Sequence, residues 1–82
     1  MTLKQAISIA KQYDFRRVTV LKQQSGCDDV FHYFETKIND LQLMIWLDEN
    51  KNEWVFDIAM GGTYFYNFEN VVSIIDAISN GN

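Results

Sequence analysis

Two turn signals near the middle of the sequence constrain its fold more than any other feature. If residues 39–40 (Asn-Asp) form a two-residue turn, Phe34 pairs with Ile45 across two antiparallel strands. If residues 49–52 form the next turn, Ile45 also pairs with Phe56. A shift of one residue in either register would move every side chain to the opposite face of the sheet. Because both turns give Ile45 a large apolar partner, they predict three adjacent strands that share one core face.

The residues before these strands predict a helix and one further strand. Thr2 and Gln5 have the spacing of a capping box. β-Branched residues predict a strand at 15–22, and the polar residues 23–29 predict a loop after it. The apolar residues of the helix recur at helical spacing, at Leu3, Ala6, Ile7, Ala10 and Tyr13.

The residues after these strands predict a short strand and a second helix. The pair Gly61-Gly62 can turn the chain into a fifth strand at 63–66. Asn67 can cap a helix that ends at Gly81. The apolar stripe of this helix consists of Phe68, Val71, Val72, Ile75 and Ile78.

The sequence therefore predicts a single α+β domain over residues 1–82. Its sheet is an antiparallel meander of four to five strands, with an N-terminal and a C-terminal helix in the order α-β-β-β-β-(β)-α. Two helices suffice to cover one face of a sheet about 19 Å wide, so we expect both on the core face. The predicted core includes Ile7, Phe34, Ile45, Phe56 and Ile75.

The opposite side of the sheet, called the aromatic face below, is also rich in large apolar side chains. Aromatic residues and Met inside a charged rim are typical of protein interfaces. Two other interpretations stay open, because aromatic residues favour strands even when exposed and one helix could cross to this face. The predicted partner-binding residues are Phe31, Tyr33, Met44, Trp46, Val55, Asp57, Tyr64 and Tyr66. Ala59 is expected beside them, within a rim of Arg17, Glu35, Lys37, Gln42 and Asp57.

Composition limits the cellular context of the protein. With 82 residues, 48% of them hydrophobic, the chain is predicted to fold rather than stay disordered. No apolar run approaches the roughly 18 residues of a transmembrane helix, and the N-terminus lacks a signal-peptide pattern. The single Cys27 cannot form an internal disulfide. We therefore expect a cytoplasmic protein with no membrane partner.

Charge is unevenly distributed along the chain. Residues 1–41 hold six Lys/Arg and five Asp/Glu, whereas residues 42–82 hold only Lys51 and six acids. Nucleic-acid binding depends on Lys and Arg side chains that neutralise phosphates. Nucleic acid is therefore a less favoured partner than protein.

One loop resembles the start of a calcium-binding loop. Asp48, Asn50 and Asn52 match its first three acidic or amide positions. Glu53 stands where that loop needs Gly, and Ala59 stands where it needs a bidentate Glu. The segment is better explained as a polar hairpin loop, and no metal site is predicted.

Three further residues could suggest catalysis. Cys27 and His32 could form a nucleophile and a base, but Cys27 falls in the predicted loop and His32 in an inward row opposite Leu47. Asp57 is expected on the aromatic face beside Met44, where a general base could act. No orienting third group and no phosphate-binding glycine loop accompany them. We therefore expect neither catalytic residues nor a cofactor.

These features favour a non-catalytic protein–protein interaction module that acts through the aromatic face. Its partner would be another protein or a second copy of the chain, which would then be a homodimer. By analogy of size and charge, small acidic inhibitors such as immunity, antitoxin-like or phage-encoded anti-defence proteins fit this description. The alternatives are a sheet that stacks the bases of single-stranded nucleic acid, or an acidic DNA mimic.

Overall fold

A computed structural model of the chain describes residues 1–24, 27–58 and 62–81, and for residues 22–24 and 27–29 it describes the backbone alone. Two helices and five strands follow one another along these residues. They are α1 (Leu3–Gln12), β1 (Arg16–Gln24), β2 (Cys27–Ile38), β3 (Leu41–Asp48), β4 (Glu53–Ile58), β5 (Thr63–Phe65) and α2 (Phe68–Asn80).

The five strands form one antiparallel meander in the order β1-β2-β3-β4-β5, as predicted. Phe34 pairs with Ile45, and Ile45 pairs with Phe56, so both predicted hairpin registers are confirmed. Asn39 and Asp40 have φ angles of 50° and 66°. Positive φ at both central residues gives the hairpin turn whose twist matches that of the flanking strands.

The predicted loop at 23–29 is wrong at both ends. β1 continues to Gln24 and β2 begins at Cys27, which pairs with Gln24. Polar composition predicts a loop here, but main-chain hydrogen bonds pair two antiparallel strands whatever their side chains are. Cys27 therefore begins a strand, and its side chain lies outside the described part of the chain.

Both helices pack on the core face. Four of the five predicted core residues, Phe34, Ile45, Phe56 and Ile75, are confirmed as buried members of one apolar cluster. The helices contribute Ala6, Ile9 and Ala10 from α1 and Val71 and Ile75 from α2.

The fifth predicted core residue, Ile7, is wrong. Its side chain is 36% exposed, whereas Ile9 is fully buried. The Met1 amine donates hydrogen bonds to the carbonyls of Trp54 (3.0 Å) and Tyr66 (2.8 Å), and the Met1 carbonyl accepts one from the Trp54 N–H (2.8 Å). These bonds attach the start of α1 to the sheet, and the helix then turns Ala6, Ile9 and Ala10 inward.

Polar side chains fix both ends of the helical layer. The Thr2 side chain and Gln5 form the predicted capping box, and the Asn67 side chain accepts a hydrogen bond from the Asn70 N–H (3.0 Å). At the other end of α2, the Asn39 side chain donates to the Ile78 carbonyl (2.6 Å). The turn between β2 and β3 therefore also caps a helix.

The sheet divides at its middle. The ladder between β2 and β3 runs from Ile38–Leu41 to Phe34–Ile45, although both strands continue beyond that pair. β2 continues beside β1, and β3 continues beside β4. The β1–β2 ribbon thus projects from the helix-covered body, and the molecule measures 48 × 23 × 23 Å.

Candidate functional site: the aromatic face

Strand register brings most of the predicted partner-binding residues onto one side of the sheet. Met44 lies between Glu35 and Asp57, Trp46 pairs with Val55, and Asp57 pairs with Tyr64. Phe31 and Tyr33 share the parity of Glu35 on β2, so they lie on this side too. Tyr66 follows β5, and its hydroxyl reaches Asp48 on the same side. Ala59 lies outside the described residues.

Neither helix covers the aromatic face, because the buried residues of both belong to the cluster on the core face. Val55 is nevertheless fully buried, while Met44 and Trp46 are half-buried and Tyr64 is 48% exposed. The face is thus a thin second apolar layer. Its outer atoms contact solvent while its central residue does not.

Two neighbours hold the Trp46 side chain in place. The indole and the Tyr64 ring are 5.5 Å apart between centroids and meet edge to face at 88°. The Trp46 Nε1 donates a hydrogen bond of 3.4 Å to Asp57 Oδ2. An edge-to-face contact and a satisfied indole N–H both restrict the rotamer. Trp46 therefore presents a fixed aromatic surface.

Asp57 has one carboxylate oxygen without a donor among the described residues. Oδ2 accepts from Trp46, whereas Oδ1 is buried and has no hydrogen-bond partner there. Leaving a buried acceptor unsatisfied costs about 1–3 kcal/mol, and more for a charged group. The oxygen needs a donor from water or from a molecule that binds here.

The far end of the face is closed by the β3–β4 hairpin. Asp48 accepts hydrogen bonds from the Tyr66 hydroxyl and from the Asn50 N–H, both at 3.1 Å. The Lys51 ammonium lies 4.4 Å above the Tyr66 ring, within the range of a cation–π contact. Each Asp48 carboxylate oxygen thus has a donor within the protein, which supports the interpretation of this segment as a polar hairpin loop.

The charged rim differs from the prediction at one position. Arg17 pairs with Phe34 and so belongs to the core-face side, and Arg16 occupies the rim instead. The Arg16 Nε donates to Glu35 Oε1 (2.8 Å), and Gln42 donates to the other Glu35 oxygen (3.5 Å). The Arg16 side chain is 76% exposed, so the pair orients the rim more than it stabilises the fold.

His32 does not occupy the predicted inward row. Since the β2–β3 ladder ends at Phe34, His32 does not pair with Leu47, and its side chain is exposed. The His32 Nδ1 shares a 3.1 Å hydrogen bond with the Thr19 hydroxyl on β1. Among the described residues, no group of three His, Cys, Asp or Glu side chains is placed to hold a metal ion.

A groove at the division of the sheet was missed by the sequence reasoning. It lies between the β1–β2 ribbon and the β3–β4 hairpin, has a volume of about 1530 Å³, and is floored by α1. Its lining includes Leu3, Ile7, His32, Trp46, Leu47 and Trp54. Three of these, Leu3, Ile7 and Leu47, are 49%, 36% and 37% exposed. In the sequence, Ile7 was the residue that could have indicated this groove. It belongs to the apolar stripe of α1 but lies to one side of the residues that face the sheet.

Comparison with protein-family models, curated proteins and solved structures gives no match. Neither described helix has the length and apolar character needed to cross a membrane.

Proposed function

We propose that this chain is a non-catalytic protein-binding module that acts through its aromatic face. One observation carries the proposal, namely that Trp46 is held by Tyr64 and Asp57 on a side of the sheet that neither helix covers. Fixed aromatic anchors are typical of the residues that dominate binding energy in protein interfaces.

The energetics favour such a surface. Burying apolar area stabilises a complex by about 25 cal/mol per Å², but association costs several kcal/mol of lost freedom. Ordering a side chain on binding adds about 0.5–1.5 kcal/mol to that cost. Because the Trp46 rotamer is already fixed in the free chain, much of this ordering cost is avoided.

Charge supports a protein partner over a nucleic acid. The described basic residues on or beside this face are Arg16, Lys37 and Lys51, and the acids are Glu35, Asp48, Glu53 and Asp57. Arg16 is already paired with Glu35. Single-stranded nucleic acid would find aromatic rings here on which its bases could stack, but few free cations to neutralise its phosphates.

The partner is another protein or a second copy of this chain. The module belongs in the cytoplasm under this proposal, since its one cysteine leaves it without a stabilising internal disulfide. An inhibitor of the small acidic kind fits the same surface, because such a protein needs a preformed docking face and no catalytic group.

Tyr64→Ala tests the proposal. The Tyr64 ring is half exposed, so its removal should cost little stability while depriving Trp46 of its edge contact. We expect self-association, measured by analytical ultracentrifugation, or the affinity of a captured partner to fall by about tenfold or more. Leu41→Ala is the control, because Leu41 is 36% exposed and lies on the core-face side of the sheet.

Hydrogen exchange measured with and without a partner shows whether the partner contacts the aromatic face or the helices. Binding should slow exchange across β3 and β4 and leave α2 unchanged. The proposal is wrong if the wild-type chain stays monomeric and the footprint of every captured partner falls on the helices.

A further inference from the structure

The groove between β2 and β3 offers main-chain hydrogen-bonding groups as well as apolar walls. In a two-residue hairpin, the residues that close the turn exchange hydrogen bonds, and every second residue along each strand repeats that orientation. The pairs Ile38–Leu41 and Phe34–Ile45 belong to this series. His32 and Val30 continue it along β2, and Leu47 continues it along β3, beyond the last paired residues.

The peptide groups of Val30 and His32 therefore point away from β1 and into the groove. Leu47 directs its own peptide groups toward them from the other side. Exposed strand edges with unpaired N–H and C=O groups are templates for another strand. From Phe34 to Val30 the β2 edge extends about 13 Å, which is enough for about four residues of an extended chain.

The walls of the groove suit alternating side chains. On the core-face side it is lined by Leu3, Ile7 and Leu47, and on the other side by Tyr33 and Trp46. Successive residues of an extended chain point to opposite sides, so each second side chain would meet one of these walls. The charged residues in the lining are nearly balanced, with Lys11 and Arg17 against Asp14, Asp48 and Glu49.

We infer that this groove binds an extended, largely uncharged segment of a partner protein as an additional β-strand. Main-chain hydrogen bonds to Val30 and His32 supply affinity, and apolar side chains at alternate positions supply specificity. The inference rests on the proposed protein-binding function and names the form of the segment bound. Because Trp46 lines both the groove and the aromatic face, a partner can occupy the two surfaces together.

A defined peptide tests the inference with the full chain. The probe is a capped peptide of three Val-Thr repeats, titrated into isotope-labelled protein and followed by NMR. Without peptide, the amides of Val30, His32 and Leu47 should exchange rapidly compared with that of Leu43. With peptide, they should shift and become protected.

Two peptide variants separate backbone recognition from simple apolar contact. One carries N-methyl groups on its valines and the other on its threonines. At least one should lose binding, because only one set of alternate amides faces β2. If both bind as well as the parent peptide, or if the parent produces no shifts in the groove, the inference is wrong.

Protein variants then separate the groove from the aromatic face. Leu47→Thr should weaken peptide binding by about fivefold to tenfold. Leu41→Thr, equally exposed at the far end of β3, should leave it unchanged. Leu47 lies on the core-face side and outside the aromatic face, so Leu47→Thr tests the groove alone. If the peptide-induced shifts are confined to Met44, Asp57 and Tyr64, the inference about the groove is wrong and the proposed function still stands. The same conclusion follows if amide protection of Val30 and His32 rises with protein concentration.

Discussion

At the scale of one residue, Asp57 serves both the fold and the proposed binding function. Its Oδ2 orients Trp46, while its buried Oδ1 has no donor among the residues that the structure describes. Sites that are suboptimal in the free protein are often the ones that a partner completes. Sequence alone placed Asp57 on the aromatic face but gave no indication of its hydrogen bonding, because that depends on the rotamers of Trp46 and Tyr64.

Asp57→Asn should weaken association and change stability little. The amide keeps an acceptor for Trp46 Nε1 and removes a negative charge, but its NH2 group places two donors where Oδ1 stood, so we expect the free energy of unfolding to change by less than about 1 kcal/mol. Urea denaturation measures that change, and the assays of partner or self-association measure the loss of binding. Glu53→Gln is the matched control, since Glu53 is an exposed acid on the same strand. A loss of stability of about 2 kcal/mol or more in Asp57→Asn would mean that a donor already satisfies Oδ1 in the free protein.

The hairpins were predictable at the scale of elements, and the helix orientation was not. Turn chemistry and alternation together determine strand register, so the pairings through Ile45 followed from sequence. The apolar stripe predicted for α1 placed Ile7 in the core, whereas Ile9 is the fully buried isoleucine of this helix. The anchoring of Met1 to Trp54 turns the helix in this way, and this long-range contact has no local signal.

The ribbon and the groove were missed for a related reason. The alternation rule implies that β2 and β3 pair along their whole length, which is why His32 was expected opposite Leu47. β2 has 12 residues and β3 has 8, and β2 follows β1 once the ladder to β3 ends. Which neighbour a strand follows is a property of the whole sheet.

The two helices are joined by a hydrogen bond that should make stability depend on alkaline pH. The Tyr13 hydroxyl on the C-terminal side of α1 donates to Asp76 of α2. Burial and the Asp76 carboxylate raise the pKa of Tyr13 from 10.0 to about 12. Because the pKa is raised in the folded chain, the stability contributed by this hydrogen bond is complete below pH 10, where the unfolded chain also keeps the proton. This stability is lost as the pH rises to about 12. Because solvent screens this partly exposed pair, the hydrogen bond contributes about 1 kcal/mol to the free energy of unfolding.

Tyr13→Phe should therefore flatten the fall of stability above pH 10. Lysine side chains titrate in the same pH range, so the difference in stability between Tyr13→Phe and wild type isolates the contribution of Tyr13. Asp76→Asn should give the same flattening and shift one tyrosine to a lower pKa in an ultraviolet titration. Identical pH profiles for all three proteins would contradict this account.

At the scale of the whole molecule, two neighbouring residues separate the roles of the two apolar layers. Phe56 and Val55 are both fully buried, but Phe56 lies among the helices and the Phe65 ring, whereas Val55 pairs with Trp46 on the aromatic face. Phe56→Ala should cost about 3–5 kcal/mol, a large part of the roughly 5–10 kcal/mol expected of so small a domain. Val55→Ala should cost about 2 kcal/mol, because fewer methyl groups are lost.

Binding should change the two costs differently. A partner on the aromatic face adds contacts to Trp46, which pairs with Val55, and none to the neighbours of Phe56. The penalty of Val55→Ala should therefore grow in the complex while that of Phe56→Ala stays the same. Urea titrations with and without saturating partner, or above and below the self-association concentration, measure both differences. Equal penalties for Val55→Ala in the free and bound states would place the interface elsewhere. A barely changed urea midpoint for Phe56→Ala would instead contradict the core that both hairpin registers define.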